Sequence, residues 1–576
     1  RYLGSYSLDI KLPVDGLKFR SNLGLDARTV QDYEFWSAKT SNRGMGTSYA
    51  KNAVDKYTMF TLENMLFYDK TFNDKHTLGV TLLQSIQEDK RESVNVAMEN
   101  LPADNLKYYD LGSGLVTNTI GSSMVKWNMA SFMGRINYNY LGRYLLTVSA
   151  RYDGSSRLAD GHKWVLFPSA ALAWRINEES FMSSTSGWLD NLKLRLGFGK
   201  TGNSAVDPYQ TKGTLSLIRY PFDNGGTPTI GYAPNAMANS LLTWETTDQW
   251  NLGIDFGVLR GRINGTIDLY MQNTHDLLLK RQLPVVSGFP DVLSNVGKTR
   301  NKGIEVSINS MNINSKDFQW TTDLMLSSNK EEIVELYNGK NDDIGSKWFI
   351  GQPVNVHYDY RKVGIWQNTE SDLAEMAKFA ANGTEFAPGD IKIQDVNGDY
   401  KITDADKQIL GNPRPKLIAS MVNTFNYKGF DLSVFLYASF GAMLYNDIYA
   451  VEHCGRNGGV KVDYWTPNNP TNAYPRPSID EERPIYITST YYEKADFLRV
   501  KTMTLGYTLP KTLTNKFLVE KLRVYFTAQN PFIFTNYTGI DPEAAKVNSA
   551  GNPETNGSGF GTPSVSSWIF GINLTL

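Results

Sequence analysis

The stretch that decides the fold is Trp250-Asn-Leu-Gly-Ile-Asp-Phe-Gly-Val258, which continues through Arg260-Gly261-Arg262 into Ile263-Asn-Gly-Thr-Ile-Asp-Leu-Tyr-Met271. Trp250, Leu252, Ile254, Phe256 and Val258 alternate with Asn251, Gly253, Asp255 and Gly257. After the turn, Ile263, Gly265, Ile267, Leu269 and Met271 alternate with Asn264, Thr266, Asp268 and Tyr270. Successive side chains of an extended strand point to opposite faces, so this is an antiparallel hairpin with one apolar and one polar face. Each run is about nine or ten residues, the length a tilted strand needs to cross a bilayer's hydrocarbon layer. The apolar face is expected to meet lipid and the polar face to line a wide, wet lumen.

The unit recurs along the chain. Alternation and turn signals mark roughly seventeen strands, among them Leu17–Leu25, Tyr57–Tyr68, Thr77–Gln87, Ile263–Leu279 and a last one at Ser566–Leu576. The connections alternate in length. Those near 26–48, 203–240, 337–415, 441–495 and 535–563 are long and rich in Gly, Asn, Pro and Asp. Between them lie short turns such as Arg260–Arg262, Ser315–Phe318 and Lys428-Gly429. Outer-membrane barrels pair short periplasmic turns with long extracellular loops in this way, whereas a soluble propeller or sandwich has no reason to. The expected fold is therefore all-β, a transmembrane antiparallel β-barrel over residues 1–576.

The chain opens at Arg1, with neither an initiator Met nor a secretory signal. An exported barrel needs such a signal, so the chain reads as a piece of something longer. Loop parity makes its first strand an even-numbered one, so an odd number of strands is expected upstream.

Composition excludes several alternatives. Lys plus Arg is 58 against 59 for Asp plus Glu, which gives no basic excess for nucleic acid. The single cysteine, Cys454, rules out an intrachain disulfide framework and any multi-cysteine metal site. The longest charge-free apolar stretch, Leu432–Tyr445, is shorter than the ~18 residues of a spanning helix. Mean hydropathy is negative, as befits a barrel that is half polar by construction. The 32 Tyr and 12 Trp suit an interface that is apolar on one side and wet on the other.

Few motifs carry chemistry. Asp395, Asn397, Asp399, Lys401 (through its carbonyl) and Asp406 occupy positions 1, 3, 5, 7 and 12 of a loop with the oxygen density of a calcium site. Tyr400 replaces the usual Gly at position 6, and Asp406 replaces Glu at position 12. An acidic loop held by Asx turns is the alternative. If an ion binds there its role is structural, and no cofactor is required. Ser371–Ala381 has the pattern of a short amphipathic helix. Gly557-Ser-Gly559-Phe-Gly561 has no helix after it and reads as a loop. The five histidines (His76, His162, His275, His357, His453) lack metal-ligand spacing, and no catalytic motif is present, so the chain is not read as an enzyme. Loop aromatics suited to stacking on sugars or peptide side chains are Trp348, Tyr358, Tyr360, Trp366, Tyr464 and Trp465.

Several blocks resemble the SusC/RagA family of TonB-dependent outer-membrane transporters of Bacteroidota. They are Arg151-Tyr-Asp-Gly-Ser-Ser-Arg157, Phe167-Pro-Ser169 with Ala173-Trp-Arg175, and Leu192-Lys-Leu-Arg-Leu-Gly-Phe-Gly-Lys-Thr-Gly-Asn203. Further blocks are Trp244-Glu-Thr-Thr-Asp248, Asn301-Lys-Gly-Ile-Glu305, the 395–406 loop with Gly411-Asn-Pro413, and Phe497-Leu-Arg499 leading to Leu505-Gly-Tyr-Thr-Leu-Pro510. They span nearly the whole chain in the family's order. The resemblance implies a barrel of the 22-stranded type in the bacterial outer membrane, with an N-terminal plug and TonB-contacting segment absent from this chain. It also implies a SusD-like surface lipoprotein as partner, energy relayed through TonB–ExbB–ExbD, and oligosaccharides or oligopeptides as cargo. Many such barrels end on an aromatic residue, whereas this chain ends on Leu576. The alternatives are a siderophore or cobalamin receptor, a diffusion porin, and, from another class, a secreted β-rich carbohydrate-active enzyme.

Overall fold

The structure, a computed structural model, describes residues 1–576 except 45, 223–228, 447–460, 478–482, 515–518, 544–563 and 576. Cys454, His453, the Gly557–Gly561 run and Leu576 lie outside the described residues. Seventeen strands belong to one sheet. They are β1 (Tyr2–Lys11), β2 (Leu17–Trp36), β3 (Tyr49–Phe72), β4 (His76–Glu99), β5 (Val116–Tyr140) and β6 (Tyr144–Ser155). Next come β7 (Trp164–Arg175), β8 (Leu189–Asn203), β9 (Glu245–Val258), β10 (Ile263–His275), β11 (Lys298–Asn314) and β12 (Phe318–Glu335). The last are β13 (Leu417–Tyr427), β14 (Phe430–Phe440), β15 (Phe497–Thr508), β16 (Lys521–Thr535) and β17 (Ser567–Thr575). They correspond one to one with the strands read from alternation. Chain neighbours pair antiparallel from β1 to β8 and from β12 to β17. The chain divides into two compact units, one of Arg1–Glu179, Lys193–Leu252 and Gln272–Lys298, the other of Ser180–Leu192, Gly253–Met271 and Thr299–Leu576.

In the first unit, β6 shows the governing pattern. Tyr144, Leu146, Val148, Ala150 and Tyr152 are exposed, while Thr147, Ser149, Arg151 and Asp153 are shielded on the opposite face. A water-soluble sheet has the reverse arrangement, apolar inside and polar outside. The shielded polar groups bond to one another. The Arg151 guanidinium donates to Asp153 at 2.8 Å and to the Ser131 hydroxyl at 2.9 Å, and the Ser149 and Ser169 hydroxyls are 2.7 Å apart. Aromatic residues close the apolar face at both ends. Tyr144 stacks between Tyr140 and Trp174 beside the short turn, and Trp164 stacks on Tyr152 and Phe132 at the other end. Tyr144 and Tyr152 are about 27 Å apart along the strand, which with tilt approaches the ~25 Å apolar band of an outer-membrane barrel.

The strands near the chain start are much longer than expected. β3 and β4 have 24 residues each, about 80 Å of strand, where a hydrocarbon crossing needs about ten residues. The first half of the loop expected over 26–48 is therefore strand, because β2 continues to Trp36, and the connection shrinks to the residues between Trp36 and Tyr49, where β3 begins. A small apolar core also lies in this unit: Leu158, Phe167, Val206, Leu242 and Trp244 are all buried together. The Trp244 indole N–H donates to the Lys163 carbonyl at 2.8 Å.

In the second unit, Trp568, Phe570, Ile572 and Leu574 of β17 are all exposed, Phe570 by 81%. The hairpin β13–β14 turns on Lys428 and Gly429 alone, with φ of 44° and 90°. Both values are left-handed, as a two-residue turn matching strand twist requires. A Cβ on Gly429 would lie 2.9 Å from the Thr508 carbonyl oxygen, so only Gly fits there.

The same unit contains a folded loop domain within 336–416, 441–446 and 461–496. Its helix α1 (Glu370–Ala381) is the amphipathic segment expected over Ser371–Ala381. Thr369 caps it by accepting the Asp372 N–H, and Met376 and Phe379 are its buried face. Three buried clusters lie in the domain: Ile365, Ile391, Ile393, Trp465, Ile487 and Tyr491 form one, Trp366, Met376 and Phe379 another, and Ala442, Leu444 and Ala495 a smaller third. Among the described residues no helix is long and apolar enough to cross a membrane.

Candidate functional site

The loop domain gathers most of the residues that the sequence marks as able to touch a ligand, and it sorts them by burial. Trp366 has no exposed surface. It packs against Phe379 and Phe386, with the Lys392 ammonium 4.0 Å from its ring centroid. Trp465 is buried as well, its indole N–H donating to Gln367 at 2.8 Å. These two rings build the interior and have no free face to offer. Tyr360 packs edge-on to Tyr486 at 5.0 Å and donates its hydroxyl to Asp404. Burial, helped by the Asp404 charge, pushes that hydroxyl up to about 12. Tyr358 lies against Phe349 at 4.8 Å. Trp348 is half-buried in a backbone bridge with Asp343, and Tyr464 is the exposed member. The six aromatics are thus not one surface.

A cleft of about 380 Å³ in this domain was not legible from sequence. Glu385, Phe386, Asp390, Arg476 and Tyr486 line it, with Arg476 Nε 2.8 Å from an Asp390 carboxylate oxygen. It offers two aromatic rings, a cation and two carboxylates, a combination suited to hydroxyls, amides or charged termini. These residues are scattered from Glu385 to Tyr486 in no periodic pattern, so no sequence signal pointed to them.

The acidic loop is held by its own backbone. The Asp395 carboxylate accepts the Gly398 N–H at 2.8 Å and the Tyr400 N–H at 2.9 Å. The Asn397 side-chain amide oxygen accepts the Asp399 N–H, and the Asp399 carboxylate accepts that of Lys401. Asp406 is fully buried, its two oxygens accepting N–H bonds from Val396 and Thr403. Tyr400, the departure at position 6, adopts the left-handed φ of 56°. Among the described residues no three His, Cys, Asp or Glu side chains come together as a metal cluster.

Other polar groups serve architecture. The Arg499 guanidinium, from the Phe497-Leu-Arg499 block, is buried between Asp541 and Glu543, and Lys501 reaches Glu543 at 2.6 Å. Burial works against the Asp541 charge, yet N–H bonds from Glu543 and Ser564 together with Arg499 hold its carboxyl below the usual range. This latch ties β15 to the segment after β16. The described histidines are dispersed. His76 meets the Tyr138 hydroxyl, His275 meets Asp248, and His357 meets the Met443 carbonyl.

Inverted alternation, aromatic ends and a folded loop domain together describe a membrane barrel with an elaborated mouth. Residues 2–530 match the TonB-dependent receptor-like β-barrel family. The chain belongs to that family. It is an outer-membrane β-barrel of the SusC/RagA kind, as its sequence blocks implied. TonB-dependent receptor P3 of Formosa agariphila is 32% identical over 97% of this chain and 56% of its own length. TonB-dependent receptor SusC of Bacteroides thetaiotaomicron is 35% identical over 72% of this chain and 41% of its own. The RagAB peptide transporter shares the fold, with a TM-score of 0.82 at 22% identity over 99% of this chain and 61% of that one. The chain thus spans about half the length of the curated relatives it matches. These relatives are receptors and transporters, not enzymes.

Proposed function

We propose that this barrel serves the import of oligosaccharides or oligopeptides across the outer membrane, in partnership with a SusD-like surface lipoprotein and powered through TonB–ExbB–ExbD. The observation that carries the reading is the folded loop domain, with its own cores, on the long-loop side of a family barrel. Long extracellular loops are common to outer-membrane barrels, but a loop region with its own apolar cores is the built mouth that capture of a scarce nutrient needs. SusC and the RagAB peptide transporter, which share sequence or fold with this chain, support the cargo class. Within the mouth, Tyr464, Trp348, Tyr358 and Tyr360 retain ring surface for stacking, while Trp366 and Trp465 hold the scaffold. Energy coupling matters because equilibrium binding at the mouth concentrates nothing on the far side. We also propose that Asp395, Asn397, Asp399, the Lys401 carbonyl and Asp406 accept a calcium ion that reinforces the Asx turns.

Deleting the gene and supplying pooled glycans or peptides of graded length tests the reading. Uptake of one oligomer class is expected to fall to background, and to fall equally when TonB or the SusD-like lipoprotein partner is removed. Unchanged uptake of every oligomer in the deletion strain would overturn it.

A further inference from the structure

The exterior face of the first unit changes character at one height. Rising from the short turns, the exterior positions are mostly apolar, with Leu62 and Phe60 on β3, Leu82 and Ile86 on β4, Ile136 and Phe132 on β5, interrupted by Asn64 and Gln84, which hydrogen-bond to each other at 2.8 Å. They then become charged within one or two positions, at Lys56, Glu88, Lys90, Glu92 and Lys126. Strand register aligns the change, since Phe60 faces Glu88, Thr58 faces Lys90, and Lys90 faces Lys126. On β6 and β7 the stacked pair Tyr152 and Trp164 marks the same boundary, and Lys163 directly precedes Trp164. This is where hydrocarbon ends and lipid head groups begin.

Lysine predominates just beyond that line. Lys56, Lys90, Lys126, Lys163 and Lys212 face three carboxylates, Glu88, Glu92 and Asp160. Lys90 pairs with Glu92 at 2.9 Å, Lys126 with Glu88 at 2.9 Å and Lys163 with Asp160 at 2.5 Å. Lys56 faces Glu92 across the β3–β4 pair and Lys212 lies near Asp160, neither making an ion pair within 4 Å among the described residues. Lys90 and Lys126 are directly opposed across a strand pair, a like-charge contact that costs stability and that Glu92 and Glu88 offset. Lys126, Lys163 and Lys212 also line a cleft of about 360 Å³ with one carboxylate, Asp160, and with Trp127 and Tyr209, open beside the apolar Met124.

We propose that this patch binds the phosphate of an outer-leaflet lipid head group, with the acyl chains lying down the apolar face below it. Charge complementarity at head-group height sets the partner's chemistry, and the cleft provides the seat. The proposal rests on the membrane location of the barrel and is independent of what the barrel transports.

The test uses the full-length protein in a neutral detergent, titrated with phosphorylated lipid A and with the same lipid after phosphatase treatment, bound lipid being read by native mass spectrometry. The phosphorylated lipid is expected to bind and the dephosphorylated one to bind far more weakly. The triple variant Lys56→Gln, Lys126→Gln, Lys212→Gln is expected to bind about a hundredfold more weakly, at about fivefold per lysine. Should that variant fail to fold, Lys163→Gln with Lys212→Gln, both outside the strands, is expected to lose about twenty-fivefold. Equal binding of the two lipids, or wild-type affinity in the folded variants, would overturn the proposal.

Discussion

Phe570 and Trp366 are large apolar side chains of one compact unit, and they meet opposite fates. Phe570 is 81% exposed on β17, and Trp366 is 0% exposed in the loop domain. The loop domain obeys the rule for water, burying Trp366, Phe379, Ile365 and Ile391 away from solvent. The strand obeys the rule for lipid, where an outward Phe is solvated by acyl chains and costs nothing. One chain therefore folds against two solvents, and each region's residue pattern names the solvent it meets.

The contrast can be broken in four places. Trp366→Ala should have the largest effect, about 3–5 kcal/mol from lost contacts and an unfilled cavity. It should appear as faster hydrogen exchange in α1 while the strands stay protected, and unaltered α1 exchange would deny the loop domain its own core. Phe570→Arg should cost about 2–4 kcal/mol in a bilayer if it lies near the midplane, measured by reversible unfolding from vesicles. A cost no larger than that of an ordinary surface substitution would mean β17 does not face lipid.

The third effect is smaller and depends on pH. Burial lowers the His357 pKa, while its ring bonds to the Met443 carbonyl. A group depressed in the folded state contributes stability above its unfolded pKa, about 6.5, and loses it as pH falls through that value toward the folded pKa. Protection of the amides in the paired segments His357–Asp359 and Gln408–Gly411, taken relative to the intrinsic exchange rate at each pH, should therefore fall between pH 7 and 5, and His357→Gln should flatten the profile. A flat profile in the wild type would remove the titration from the account. The smallest effect is Asp395→Ala, about 1 kcal/mol for each lost Asx bond, seen as protease sensitivity near 395–406. If chelator does not reproduce that sensitivity in the wild type, the loop is held by turns alone.

The same contrast explains what was legible in the sequence. Within the membrane one face is greasy and the other wet, so alternation located all seventeen strands. Beyond the membrane both faces of β2–β5 are wet, and alternation fades. Asp26, Arg28, Asp32 and Glu34 share one face of β2, and Thr29, Gln31 and Tyr33 share the other. There Lys51 bridges Asp32 at 2.6 Å and Glu34 at 3.0 Å in place of any apolar signal. The single strand expected over Ile263–Leu279 is interrupted at Asp276, whose φ is 57°, and a separate strand, Leu278–Gln282, follows. In the loop domain, aromatic content identified a region but not which rings were interior, since Trp366 and Tyr464 look alike until their neighbours are known.

A scan of β6 probes the inverted pattern itself. With Cys454 replaced by Ser, single cysteines at Leu146, Thr147, Val148, Ser149, Ala150 and Arg151 can be spin-labelled in bilayers and their collision rates with oxygen and with a water-soluble nickel complex compared. Oxygen should dominate at 146, 148 and 150 and the nickel complex at 147, 149 and 151. Accessibility without a two-residue period, or with the phases exchanged, would contradict a sheet whose apolar face is solvated by lipid.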